Sequence, residues 1–133
     1  MGKVELYEPF VPTIDITVIA KKDIPEALSH YEDARSRAKQ ELEAQQTRLQ
    51  QSDPEKAKII KTHMDILFDV VMEEEIRDAI SDGKSAEAAV DKIFQKYIKI
   101  IGRAADERIR ERTSDLDDVR CRLLRNCMGV PER

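Results

Sequence analysis

The sequence predicts an all-α protein, an antiparallel four-helix bundle with a short β-strand pair at the N-terminus, and three observations carry that expectation. Hydrophobic residues make up 41% and charged residues 38% of the chain, with no Trp and only four Gly, a balance that suits long amphipathic helices better than sheets or disorder. Apolar residues recur at spacings of three and four over most of the chain beyond residue 23. Helix start and stop residues punctuate the pattern at Asp53-Pro54, Asp82-Gly83, Ser85 and Gly129 with Pro131 beyond it. A chain of 133 residues is the size of one domain with one core.

The elements follow in order. Residues 3–20 alternate β-branched and polar residues around Pro9 and Pro12, which predicts two short strands. Asp23 and Pro25 signal a helix start, and Leu28, Tyr31, Arg35, Ala38, Leu42, Gln45 and Leu49 then form one seam. That seam is only half apolar, because Arg35 and Gln45 occupy core-type positions. Asp53 can cap free amides, Pro54 fits the first helical position and Glu55 complements the dipole, so a second helix starts there. Its apolar face runs from Ile59 and Ile60 through His63, Met64, Leu67, Phe68, Val71, Met72 and Ile76 to Ile80, and Asp82-Gly83 stops it. Between residues 66 and 72 the apolar residues cover more than one stripe, the mark of a bend or of a surface that meets a partner. Ser85 caps a third helix, carried by Ala89, Val90, Ile93, Phe94, Tyr97 and Ile101. Past a turn between residues 102 and 106, a charged fourth helix continues through Leu116, Val119, Leu123 and Cys127. The expected organisation is a strand segment at 1–22, a helical unit at 23–130 and a tail at 131–133.

Several function classes are excluded or disfavoured. A net charge of −4, with acids and bases mixed along the same helices, gives no footprint for nucleic acid and favours a basic partner. No apolar run reaches the roughly 20 residues of a membrane helix and no signal-peptide core is present, so a cytoplasmic location is expected. Cys121 and Cys127 lie six apart on one predicted helix, too far along its axis for a bridge, and read as reduced packing thiols. The four glycines are isolated, so no phosphate-binding loop exists. Only His30 and His63 offer imidazole chemistry; a di-metal bundle would place a Glu three residues before each, and those positions hold Ala27 and Ile60. No metal ligand is therefore assigned. His63 reads as a partly buried histidine tied to a backbone or carboxylate partner, and His30 as solvated.

Two stretches go beyond generic helices. Glu55-Lys56-Ala57-Lys58-Ile59-Ile60-Lys61-Thr62-His63-Met64-Asp65-Ile66-Leu67, followed by Glu73-Glu74-Glu75-Ile76, resembles the helix of bacterial enzyme I in which a histidine precedes a Leu-rich acidic stretch. Ser85-Ala86-Glu87-Ala88-Ala89-Val90, then Asp106-Glu107-Arg108-Ile109-Arg110-Glu111-Arg112 with Asp115-Leu116-Asp117-Asp118-Val119 and Arg122-Leu123-Leu124-Arg125-Asn126, is similar to the rest of that family's helical subdomain. Order and spacing agree over residues 55–130.

The resemblance to the N-terminal helical subdomain of phosphoenolpyruvate-protein phosphotransferase, enzyme I of the sugar phosphotransferase system, implies a unit that docks the phosphocarrier HPr for phosphate transfer in sugar uptake. It implies that residues 1–22 belong to an adjoining phosphohistidine subdomain. It also implies that the parent enzyme uses Mg²⁺ and dimerises through a C-terminal domain. The phosphorylated histidine segment and the phosphoenolpyruvate barrel are absent from this sequence, so no catalytic residue and no cofactor is expected in this part. By position in the motif, the implied carrier contacts are Glu55, Ile66, Met72, Ile109 and Arg112, with His63 close to them; Glu73, Glu74 and Arg112 would form the charged rim. Phe68, Val70 and Val71 stand where the family tends to carry acids, and Asp65 where an apolar residue is frequent, which leaves room for a diverged HPr as partner. The competing readings are a non-enzymatic helical adaptor or self-associating bundle, and a metal-dependent enzyme built within the bundle.

Overall fold

The computed structural model describes residues 14 and 16–130, and these are helical throughout apart from the connections and the first few residues. A single 3-10 turn, Lys21–Asp23, leads into α1, Ile24–Ser52. Then come α2 (Pro54–Leu67), α3 (Val70–Ser81), α4 (Ala86–Gly102), the one-turn α5 (Glu107–Arg110) and α6 (Arg112–Cys127). Most predicted starts are physically realised. Asp53 accepts a hydrogen bond from the Lys56 amide at 3.3 Å, Ser85 from Ala88 at 3.2 Å and Asp106 from Arg108 at 2.8 Å. At the end of α3, Gly83 adopts a φ of 109° while the Lys84 amide donates to the Ala79 carbonyl at 3.1 Å, a left-handed stop that glycine tolerates without strain.

The expected second helix is two helices. Phe68 leaves helical geometry at φ −105°, ψ 16°, and Asp69 is extended at φ −63°, ψ 121°. The Asp69 carboxylate accepts from the Met72 amide at 2.9 Å and so opens α3 as a fresh N-cap. An Asp offering that cap, followed by the β-branched pair Val70 and Val71, competes successfully with continuation of α2. Asp69→Ala is expected to lower stability by about 1 kcal/mol, with Asp69→Ser recovering most of it because Ser keeps a capping oxygen; chemical denaturation of the two variants checks this.

The break lets one stretch of chain serve two neighbours. α2 packs against α1 and α6, whereas α3 packs against α1 and α4; α4 and α6 pack on each other and on α1. The core comprises Tyr31, Ala38 and Leu42 of α1, Ile76 and Ile80 of α3, Val90 and Phe94 of α4, and Val119, Leu123 and Leu124 of α6. Small residues on α4, among them Ala86 and Ala89, let it approach closely. The four-helix bundle expected from periodicity is thus five helices of three or more turns among the described residues. The expected fourth helix is likewise divided, into α5 and α6 at Glu111.

The predicted strand pair lies mostly outside the described residues. Residues 16–20 carry no strand; the Ile19 amide donates to the Gly83 carbonyl at 2.8 Å.

The two polar seam positions of α1 have explicit partners. The Arg35 guanidinium reaches the helix break, donating to the Leu67 carbonyl at 3.3 Å and to both Glu73 carboxylate oxygens at 3.1 and 3.4 Å, with its carbon 4.5 Å from the centre of the Phe68 ring. Gln45 accepts from Arg122 at 3.3 Å. The end of α6 is tied to α1, since the exposed His30 donates from Nε2 to the Cys127 carbonyl at 2.7 Å and Arg37 to the Asn126 carbonyl at 3.1 Å. His30 is therefore a partner for orphan helix carbonyls rather than merely solvated.

Candidate functional site

Because α2 makes no close backbone approach to α4, nor α3 to α6, the place where the four helices meet is left open. It forms a groove of about 550 Å³. The end of α2 and the break contribute Thr62, Asp65, Ile66 and Asp69; the start of α3 contributes Val71 and Met72. Tyr97 and Ile101 enter from α4, and Arg112, Asp115 and Leu116 from α6.

The lining divides by polarity. Met72 and Leu116 are buried at the floor, Ile66, Tyr97 and Ile101 are half-buried, and Val71 is exposed. Asp65, Asp69 and Asp115 line the groove together with one guanidinium, that of Arg112, so the charged groups carry an excess of negative charge. Such a concave apolar centre with a polar edge is the anatomy of a transient protein interface. Outside the groove's lining, Val70 is 65% exposed beside Val71 at 57%, which enlarges the apolar surface at the start of α3.

Tyr97 is held in place from behind. Its hydroxyl donates to Glu75 at 2.7 Å, and Lys96 donates to the other oxygen of the same carboxylate at 2.7 Å. These hydrogen bonds lower the Glu75 carboxyl below its ordinary range, and the bond to Glu75 together with burial raises the Tyr97 phenol, which is therefore neutral at physiological pH. No histidine, cysteine or lysine lines the groove; its hydroxyl and carboxylate groups are those of Thr62, Tyr97, Asp65, Asp69 and Asp115.

Three of the six sequence-predicted contacts, Ile66, Met72 and Arg112, come together here. Met72, expected as a carrier contact, is buried and supplies floor. Glu55 stands at the start of α2, roughly 16 Å along the axis from Ile66 at 1.5 Å per residue, and is solvated beside Lys58. Ile109 is 44% exposed on α5, outside the lining. The expected rim pair does not form either, because Glu73 turns away to Arg35 and Arg77, and Glu74 is exposed elsewhere on α3. Sequence reasoning missed Tyr97 and Ile101, which were assigned to the core, and Asp65, Asp69 and Asp115; the acids at 65 and 69 beside an apolar run were the available signal.

His63 lies just behind the groove and not in it. It is 7% exposed, and its Nε2 is 3.3 Å from Asp115 and 3.7 Å from Asp118 across the α2–α6 contact. The carboxylate partner expected for it is Asp115 of α6. Burial, opposed by His63 and reinforced by Asp115 and Asp117, raises the Asp118 carboxyl. A second cavity of about 380 Å³ opens beside His63, Asp118 and Cys121. Burial pushes the Cys127 thiol up to about 12 and raises Cys121, so both are protonated packing thiols.

Residues 1–112 match the family described as PEP-utilising enzyme, N-terminal. The phosphoenolpyruvate-protein phosphotransferase of Haemophilus influenzae is 30% identical over 131 residues, 97% of this chain and 23% of that protein. That of Bacillus sp. (strain S) is 30% identical over 126 residues, 93% of this chain and 22% of the relative. That of Haloferax volcanii is 34% identical over 98 residues, covering 73% and 17%. The chain thus spans less than a quarter of the length of these relatives. A solution structure of Enzyme I (nEIt) superposes with a TM-score of 0.83 at 25% identity, over 90% of this chain and 49% of that one. The N-terminal domain of Enzyme 1 - Nitrogen gives 0.84 at 20% identity, over 95% and 54%, a likeness of fold. No helix among the described residues is long and apolar enough to cross a membrane. By the family match over most of its length and by its fold, this chain belongs to the family described as PEP-utilising enzyme, N-terminal, and is related to the N-terminal domain of enzyme I.

Proposed function

We propose that this chain is the carrier-docking unit of a phosphoenolpyruvate-protein phosphotransferase, and that the groove at the α2–α3 break receives HPr or a diverged relative during phosphate transfer to the sugar uptake system. The observation that carries this reading is the groove itself: an apolar floor under an edge with more carboxylates than guanidinium groups. An acidic edge steers a basic carrier and fixes its orientation, while the floor supplies the desolvated centre. The helical part, residues 23–130, is the docking unit in this reading, and catalysis resides in parts of the parent enzyme other than this groove.

Titration of isotopically labelled protein with HPr tests the proposal. Amide shifts are expected at residues 62–72, at 97–101 and at 112–116; shifts elsewhere, or none at millimolar carrier, overturn it. Asp65 is a suitable probe because its side chain is 71% exposed and, among the described residues, its ion pair is a 3.9 Å contact with Lys61. Asp65→Lys is expected to weaken carrier binding about five- to tenfold at low salt, with the gap closing as salt is raised and the melting temperature unchanged. Formation of a dimer by the chain alone, with the carrier ignored, supports instead a self-associating bundle joined through the exposed Val70 and Val71.

A further inference from the structure

The packing of α2 against α6 assembles a set of donors that neither helix holds by itself. His63 Nε2 and one carboxylate oxygen from each of Asp115 and Asp118 all lie within 4.8 Å of one another. Two of the three separations are 3.3 and 3.7 Å. Ligand atoms bonded to a tetrahedral metal at about 2.0–2.2 Å are about 3.3–3.6 Å apart, so the two measured edges fit a four-coordinate ion with little side-chain movement. We infer that His63, Asp115 and Asp118 form a site for a divalent transition metal of the Zn²⁺ class, which bridges α2 to α6 behind the groove.

The surroundings suit that role. The His63 side chain is 9% exposed, that of Asp115 29% and that of Asp118 60%, so the site is anchored in the interior on one side and opens to solvent on the other. The cavity beside His63 and Asp118 gives an entry path and room for a water at the fourth position. Asp115 and Asp118 are three apart on α6 and therefore share a face, and α2 presents His63 to that face. Of the nearby cations, Arg120 is committed to Asp91 and Asp117 at 2.8 and 3.0 Å, and Arg122 and Arg125 reach Glu41 at 2.7 and 2.9 Å. One imidazole with two carboxylates favours Zn²⁺, Co²⁺ or Mn²⁺ over Ca²⁺, which prefers oxygen donors alone. The ion would tie α2 to α6, with its fourth position open to the cavity beside Asp118.

The test uses the whole chain at a pH above about 7, because metal binding releases protons from its ligands. Titration with Zn²⁺ is expected to give one equivalent bound and a melting temperature that rises with metal concentration. Co²⁺ is expected to show the visible absorption of a four-coordinate ion. Asp118→Asn, on a largely exposed side chain, is expected to weaken binding at least tenfold, and His63→Gln to abolish it. Asp117→Asn, one residue away and directed to Arg120, is expected to leave binding unchanged. Absence of binding at millimolar metal overturns the inference and leaves a histidine–carboxylate hydrogen bond. Binding that survives both Asp118→Asn and His63→Gln also overturns it, as does a thiolate-to-Co²⁺ charge-transfer band that persists in Asp118→Asn, since the ion then sits on Cys121 or elsewhere.

Discussion

Arg35→Met is expected to lower stability by about 2–3 kcal/mol and to loosen the joint between α2 and α3. The side chain makes charge-assisted bonds to both oxygens of Glu73, donates to the Leu67 carbonyl left over at the end of α2 and stacks on Phe68. Hydrogen bonds to a charged group contribute roughly 1.5–3 kcal/mol and a cation–π contact about 0.5–1 kcal/mol, less here for partial exposure. Glu73 keeps Arg77, at 3.5 Å, which itself pairs with Glu32, so the carboxylate is not stranded and the loss stays below that of an unpaired buried charge. For a chain of this size the melting point falls by about 10 °C. Arg35→Lys is expected to lose most of the same energy, since ammonium neither bridges Glu73 in bidentate fashion nor stacks flat on Phe68. Denaturation gives the magnitude, and faster amide exchange at residues 70–72 locates it. A change under about 0.5 kcal/mol, within the usual range of a surface substitution, would show that the clamp contributes little.

The same residue marks where sequence reading succeeds and where it stops. Arg35 stood out as a charge in a core seam, and the anomaly was real, but its partner Glu73 lies 38 residues away on an element whose start was not recognised. Helix starts at Pro54 and Ala86 were legible because Asp53 and Ser85 act within three residues of themselves. The start at Val70 uses the same local device, Asp69, but the apolar residues between 66 and 72 fit a bend and a partner-facing surface equally well, so the pattern flags the place without giving the break. A hydrophobic pattern records which face is buried and not whether the axis is continuous. Long-range pairs are hidden for a different reason. His63 and Asp115 are 52 residues apart and meet only because α2, shortened at Leu67, packs on α6. The groove follows from that same break, so half of its lining was assigned to the core.

Glu41→Gln is expected to cost about 2–3 kcal/mol and to flatten the acid side of the stability profile. The Glu41 carboxylate, on α1, takes hydrogen bonds from three side chains of α6: Arg122 at 2.7 Å, Arg125 at 2.9 Å and the buried Asn126 at 3.3 Å. Removing one partner of a fully buried ion pair costs about 3–5 kcal/mol, and the 21% exposure of Glu41 lowers that figure. Burial raises the Glu41 carboxyl, but the hydrogen bonds from Arg125 and Arg122 outweigh it and hold the group below its ordinary range. A carboxyl lowered in the folded state contributes its stability in full above the unfolded value of about 4.3, and loses it as pH falls through the lower folded value, where the unfolded chain binds the proton first. The parent should therefore weaken progressively below about pH 5, while Glu41→Gln, already deprived of this contribution, changes less over the same window. Parallel profiles for the two proteins would place the acid sensitivity in other carboxylates. Since α1 carries both Glu41, which fixes α6, and Arg35, which fixes the α2–α3 joint, one helix sets the positions of both walls of the groove, and each variant is expected to change carrier binding only as far as it moves the wall it holds.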